Sequence, residues 1–164
     1  MIRPAIALYQ PDIPGNTGAI LRLGACLNLE VHVIGPAGFD LTDRALRRAG
    51  MDYLEMAALV SHLDFDAFEA WRASVGRRLV LSTTKAALPY TDFAFAEADV
   101  LLFGRESGGV PDAVHARADA RVLIPMQPSA RSLNLALSAA MVAGEVLRQT
   151  QAGHVSQPTA GVAS

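Results

Sequence analysis

The sequence predicts an α/β fold: one domain built on a parallel sheet with helices packed against it. Short apolar runs of strand length alternate with longer stretches of helical periodicity along nearly the whole chain. Glycine, proline and small polar residues punctuate the switches between them. A chain of 164 residues suits a single domain with a sizeable core, and neither an internal repeat nor a second compositional regime divides it. The domain is expected over residues 1–150, with residues 151–164 a polar, Gly/Ser/Pro/Thr/Gln-containing tail.

Residues 4–9 read as a buried strand. Pro11 and Pro14 break the chain, and Gly15-Asn16-Thr17-Gly18 forms a loop before a helix over 17–28. Val31–Ile34 is a second strand, stopped by Gly35-Pro36. Thr42-Asp43 can cap a short helix that carries Arg44, Arg47 and Arg48 and ends at Gly50. Met56–Val60 is a third strand, and Ser61 or Asp64 caps a helix through Phe68 and Trp71 to Gly76. Phe65, Phe68 and Trp71, one helical turn apart, belong to its core face. Leu79–Leu81 is a strand and Val100–Phe103 a central strand, with 89–99 between them irregular or weakly helical. Pro111 starts a short helix, 121–126 is the last strand, and 132–149 the last helix.

No apolar run reaches the ~18 residues a bilayer span requires. The first residues hold no basic segment followed by a long apolar one, so no signal peptide is expected. A single cysteine, Cys26, excludes an internal disulfide and fits a reducing cytoplasm; its apolar surroundings predict a buried thiol. The net charge of −2 argues against a surface that attracts nucleic acid everywhere. It leaves room for local basic clusters at Arg44/Arg47/Arg48 and Arg77/Arg78.

Three strand-to-helix loops attract attention, because ligands of open α/β sheets bind beyond the carboxyl ends of the strands. They are Pro14–Gly18, Phe103–Pro111 and the stretch after Val122–Met126 that contains Ser132 and Asn134. Taken singly, each has a plain structural reading. Gly104 to Gly109 could be a tight turn, Arg22 a solvated arginine, and Ser132 with Asn134 helix caps. Neither a dinucleotide fingerprint nor a phosphate-binding P-loop is present. The four histidines show no i,i+3 or i,i+4 pairing, so no metal is expected. No serine lies in a G-x-S-x-G context.

Together, the ordered set Asn16…Arg22, Phe103-Gly104-Arg105-Glu106-x-x-Gly109-Val110-Pro111 and Ile124-Pro125-Met126…Ser132-Leu133-Asn134 resembles the three motifs of the SPOUT class of RNA methyltransferases. Leu8-Tyr9-x-Pro11-x-Ile13-Pro14-x-Asn16-Thr17-Gly18, Leu46–Tyr53 and Thr83-Thr84-Lys85 make it most similar to the minimal single-domain members. These 2′-O-methylate the wobble nucleotide of tRNA. The resemblance covers about residues 2–150.

The resemblance implies a C-terminal deep trefoil knot, an exception to the unknotted rule. It implies a homodimer with its site completed near the subunit interface. It also implies S-adenosyl-L-methionine held near Ser82, Thr83, Gly104, Ile124, Met126, Ser132 and Leu133. Catalytic roles fall on Arg22, with Asn16, Glu106, Ser132 and Asn134 as its setting, and RNA contacts on Arg47, Arg48, Tyr53 and Lys85. A guanidinium stays charged, so Arg22 suits gripping a phosphate and acidifying a hydroxyl better than accepting its proton. The implied substrate is a tRNA anticodon stem-loop, methylated at cytidine or modified uridine 34 in the cytoplasm. Another tRNA or ribosomal RNA target is the alternative, as is a non-catalytic RNA-binding knot. The lack of an additional RNA-binding domain favours the anticodon loop.

Overall fold

A computed structural model describes residues 2–151. Six strands form one wholly parallel sheet: β1 (Ala5–Tyr9), β2 (Glu30–Ile34), β3 (Leu59–His62), β4 (Leu79–Ser82), β5 (Val100–Phe103) and β6 (Ala120–Val122), in the order β3-β2-β1-β5-β4-β6. The helices are α1 (Pro14–Leu27), α2 (Arg44–Gly50), α3 (Phe65–Val75), α4 (Asp112–Arg117) and α5 (Leu135–Gln151). The expected tail, 151–164, lies outside the described residues except for Gln151, which ends α5.

Strand alternation divides the core. Ile6, Leu8, Val80, Leu101, Phe103 and Val122 face α1 and α5. Ala5, Ala7, Leu79, Leu81, Val100 and Leu102 face Phe68 of α3 and Val114 of α4. Both faces of the sheet are thus covered, as a parallel sheet requires. Phe68 is fully buried and Phe65 and Trp71 pack at its sides, in line with their helical spacing.

Several boundaries move, each for a local reason. Helix α1 begins at Pro14 rather than 17, because proline at the first helical positions lacks only an N–H that would be unpaired anyway. β3 starts at Leu59, since Met51–Glu55 forms a 3-10 turn and Val31 sets the register against Leu59. Asp64, not Ser61, caps α3, accepting from the Ala67 N–H at 2.8 Å. β6 stops at Val122, because its partner β4 ends at Ser82, and Leu123 bridges to Pro89 instead. α5 starts at Leu135, with the Asn134 carboxamide accepting from Ala136 N and Leu137 N. Ser132 takes no part in that cap.

Two expectations about side chains fail. Cys26 is exposed: the buried face of α1 is Thr17, Gly18, Ile20, Leu21 and Gly24, and Cys26 sits one turn beyond exposed Arg22. Arg77 and Arg78 are not offered to a ligand. They brace the amino ends of the strands, Arg77 on the Arg3 and Ala98 carbonyls and Arg78 in a two-pronged pair with buried Asp99 at 2.7 Å. The fold also joins two histidines that lie thirty residues apart: His32 Nδ1 and His62 Nε2 are 2.9 Å apart between β2 and β3.

Gly18 determines how α2 reaches α1. A Cβ there would strike the Leu46 carbonyl and the Ala49 side chain, so glycine permits the close crossing. That crossing holds Arg47 and Arg48 on an exposed face beside the site helix. After β6 the chain runs past Leu88–Tyr90, with Leu123 N–H on the Leu88 carbonyl and Tyr90 N–H on the Leu123 carbonyl. It then returns across the sheet's carboxyl edge, and α5 packs on α1 and β5.

Candidate active site

The carboxyl ends of β1, β4 and β5 open into a cavity of about 450 Å³. Three segments meet there. The first leaves β1 through Gln10, a non-glycine residue at φ +41°, and enters α1. The second leaves β5 as Gly104–Gly109, closed by Arg105 N–H on the Gly109 carbonyl at 3.0 Å. Gly104 lies against Gly109 so closely that a Cβ would sit 2.6 Å from its backbone, so a larger residue would push this loop into the cavity. The third is the crossing segment, 124–135.

Polar side chains tie the segments together. Asn134 donates its amide to Asn16 Oδ1 at 2.9 Å, and Asn16 donates to Glu106 Oε1 at 3.4 Å. The Asp12 N–H donates to Glu106 Oε2 at 3.0 Å. Ser107 donates to the Asp12 carboxylate, and the Arg105 guanidinium approaches it at 3.5 Å. Contact with Glu106, then Ser107, holds Asp12 down at about 2. Burial, followed by the Asp12 carboxyl, pushes Glu106 upward from the ordinary range. Of two neighbouring carboxyls, Asp12 therefore carries the charge and Glu106 retains a proton more readily. One Asp12 oxygen, Oδ1, and Arg105 Nε are buried without a partner among the described residues. Such unpaired groups are costly and mark a place where polarity is kept for something other than stability.

All seven residues expected to hold the cofactor line this cavity, as do Asn16, Glu106, Ser132 and Asn134. Arg22 does not. It lies exposed on α1, its guanidinium 5.2 Å from the centre of the Tyr53 ring and 3.1 Å from the Met51 sulfur. Arg47 and Arg48 are exposed on α2 and form no salt bridge among the described residues, while Lys85 is exposed on the turn after Thr83. Asp12 was missed, as were Arg131 and Ser138 in the lining. Nothing local marks Asp12 except its place between two prolines; its partner Glu106 lies 94 positions away.

The residue types suit a nucleoside-like ligand. Ile124, Met126, Leu133 and Val110 supply apolar surface, and the hydroxyls of Ser82, Thr83 and Ser132 supply polar contacts. Loop backbone at strand ends can meet the edges of a base or ribose. No group of three or more His, Cys, Asp or Glu able to hold a metal occurs among the described residues.

Residues 3–144 match the SpoU rRNA Methylase family. The chain belongs to that family. A Beijerinckia indica protein named tRNA (cytidine(34)-2′-O)-methyltransferase is 63% identical over 90% of this chain and 92% of its own. One of the same name from Ancylobacter novellus is 58% identical over 89% and 92%. A solved structure described as giving insights into the 2-OH methylation of C/U34 on tRNA superposes with a TM-score of 0.85 at 38% identity, covering 90% of this chain and 96% of that one. The SpoU methyltransferase AviRb from Streptomyces viridochromogenes in complex with the cofactor AdoMet superposes at 0.80 with 30% identity, over 88% of this chain and 57% of that one. Membership of the SpoU family agrees with the resemblance read from the sequence motifs.

Proposed function

We propose that this SpoU-family protein is a tRNA 2′-O-methyltransferase that modifies the ribose of wobble nucleotide 34, cytidine or modified uridine, with S-adenosyl-L-methionine as methyl donor. The observation that carries the reading is the cavity itself. Three segments far apart in sequence converge there, bringing the Asn134–Asn16–Glu106 chain of hydrogen bonds beside a base-sized apolar wall. Relatives aligned over about nine-tenths of both chains bear the tRNA name, and a structural neighbour holds the cofactor.

Bound S-adenosyl-L-methionine supplies an activated methyl group, so the chain need only orient a ribose hydroxyl and deal with its proton. Ser82, Thr83, Gly104, Ile124, Met126, Ser132 and Leu133 would hold the cofactor. Asn16 and Asn134, each fixed by the other, present amide groups to the ribose. Arg22 grips the phosphate and lowers the hydroxyl's pKa electrostatically, without itself accepting the proton. Because Arg22 lies outside the cavity of its own chain, a second protomer has to bring it there. Exposed Ile13 and Leu133 at the cavity, with exposed Leu137 and Met141 on α5, provide apolar surface for such a homodimer. Arg47, Arg48, Tyr53 and Lys85 then flank the anticodon stem-loop. The return of the crossing segment beside Leu88–Tyr90 supports a trefoil knot, and a tRNA substrate fits a cytoplasmic enzyme.

The test is methyl transfer from labelled S-adenosyl-L-methionine to unmodified tRNA, with the methylated ribose mapped. It is matched by mapping tRNA from cells that lack the protein. Methylation confined to nucleotide 34, and lost in those cells, is the expected result. Methylation of ribosomal RNA or of another tRNA position instead overturns the proposed target, and none at all overturns the activity.

A further inference from the structure

The first turn of α1 faces two cavities. Asn16 lines the one described above; its neighbour Thr17 lines a second, of about 260 Å³, between α1, the ends of β2 and β3, and the loop that follows Gly35. The loop from Gln10 to Asp12 is bonded to elements beside both cavities. Gln10 N–H is bonded to the Ile34 carbonyl and Gly38 N–H to the Pro11 carbonyl, while Asp12 reaches the Glu106 loop on the other side. Both cavities therefore open along the same carboxyl edge of the sheet.

The second cavity has a distinct chemistry. Leu21, Val33, Leu59, Phe39 and Leu41 give it apolar walls. Thr17 lines this cavity and is 1% exposed, and its buried hydroxyl has no hydrogen-bond partner among the described residues. Among the described residues no lysine or arginine lines the cavity; its other polar groups are Ser61, the His62 imidazole, which burial keeps from taking a proton as readily as usual, and the Asp40 carboxylate. Such a slot rejects a phosphate or a free nucleotide. It suits a flat, neutral ring with a hydrogen-bonding edge. It is also smaller than the 450 Å³ site, too small for a cofactor of that kind but adequate for one base. Cations lie outside it: α2, which crosses α1 at Gly18, carries Arg44, Arg47 and Arg48 exposed. An apolar slot for a base with arginines beside it for the backbone is how unstacked loop nucleotides are held.

We propose that this cavity takes an unstacked nucleobase of the substrate RNA, one close in sequence to the nucleotide being methylated, with the Thr17 hydroxyl reading its edge. The inference rests on the RNA-methylating function proposed above. It adds a specificity site: the enzyme would choose its substrate partly by a base it does not modify.

The experiment uses the full-length protein and anticodon stem-loops carrying a photoreactive base at each loop position in turn, with cross-linked peptides identified by mass spectrometry. A base other than the methylated one is expected to cross-link to residues 37–41 or 59–62. Abasic replacement at that position should raise the wild-type KM about tenfold with little change in kcat. In Thr17→Val, and separately in Ala37→Phe, which fills the slot, the same abasic replacement should cost almost nothing further. Thr17→Val removes a hydroxyl without a partner, so its unfolding midpoint should hold or rise, which separates reading from folding. Cross-links confined to the larger cavity and the arginine helix overturn the proposal. So does protection of residues 37–41 by a second copy of the chain, or equal abasic costs in variants and wild type. Methylation by the wild-type protein on the same stem-loops reports separately on the parent function: if it fails while cross-links still reach 37–41, the base site stands and the reaction does not.

Discussion

The two ends of the sheet use charged residues in opposite ways. At the amino ends, the guanidiniums of Arg72, Arg77 and Arg78 have their partners in place. Arg78 grips Asp99, Arg77 spans three carbonyls, and Arg72 joins Glu69 and Asp119 at 2.6 and 2.9 Å. Asp99, fully buried, also accepts from Ala96 N at 2.8 Å. At the carboxyl ends, Arg105 reaches Asp12 only at 3.5 Å, its Nε is unpaired, and two carboxyls crowd each other. A satisfied network stabilises a fold; an unsatisfied one at a cavity is polarity kept for a ligand. Composition does not tell them apart, since both ends have arginines beside acids.

The contrast is tested first at Arg22. Arg22→Ala should lower methyl transfer about a thousandfold, as loss of an electrostatic group at a reacting centre does, while cofactor affinity measured by calorimetry stays within about twofold. Near-normal turnover would remove Arg22 from the reaction. At the other end, Arg78→Ala should cost about 3 kcal/mol in urea unfolding, because it strands the buried Asp99 carboxylate, yet leave kcat of the folded enzyme unchanged. A reversed pattern, with activity lost and stability kept, would merge the two regions.

Acid should act through the satisfied end too. His32 contacts Glu30, which in turn pairs with Arg77 at 3.6 Å. Burial first of all lowers His32 from 6.5 to about 4, so the folded chain refuses a proton that the unfolded chain accepts. Stability contributed by this group is complete above pH ~6.5 and declines as pH falls toward ~4, by ~3 kcal/mol in all. Urea midpoints across that range should show the slope, and His32→Phe should reduce it, leaving the part due to neighbouring His62, which burial lowers likewise. The smallest effect is expected at α2. Arg47→Ala with Arg48→Ala should weaken RNA binding and reduce its salt dependence by about one unit of slope per side chain, with no change in unfolding.

The parallel α/β class was legible because burial on both faces forces strands to be apolar runs and helices to keep a 3.6-residue stripe. The six strands, the α3 core residues and the Asp43 and Asn134 caps follow from that local physics. Boundaries moved where a detail outweighed periodicity: proline is tolerated at the start of α1, and β6 ends where its partner β4 does. Cys26 was misjudged because an apolar neighbourhood in sequence does not say which way a helix turns. Of the residues to which the motifs point, Asn16, Glu106, Ser132 and Asn134 meet at one cavity and Arg22 does not.

By itself, then, the sequence determined the class of fold, its family, and which loops hold the chemistry, because these depend on residue type and order. Only the tertiary structure decided what each charged or polar group is for. It spent Arg77 and Arg78 on the fold, paired Asp12 with Glu106, left Arg22 outside the cavity of its own chain, and gave Thr17 a cavity but no partner. The physical reason is distance. A hydrogen bond or a desolvated carboxyl depends on neighbours within a few ångströms in space, and here those neighbours come from segments as much as 118 residues apart in the chain.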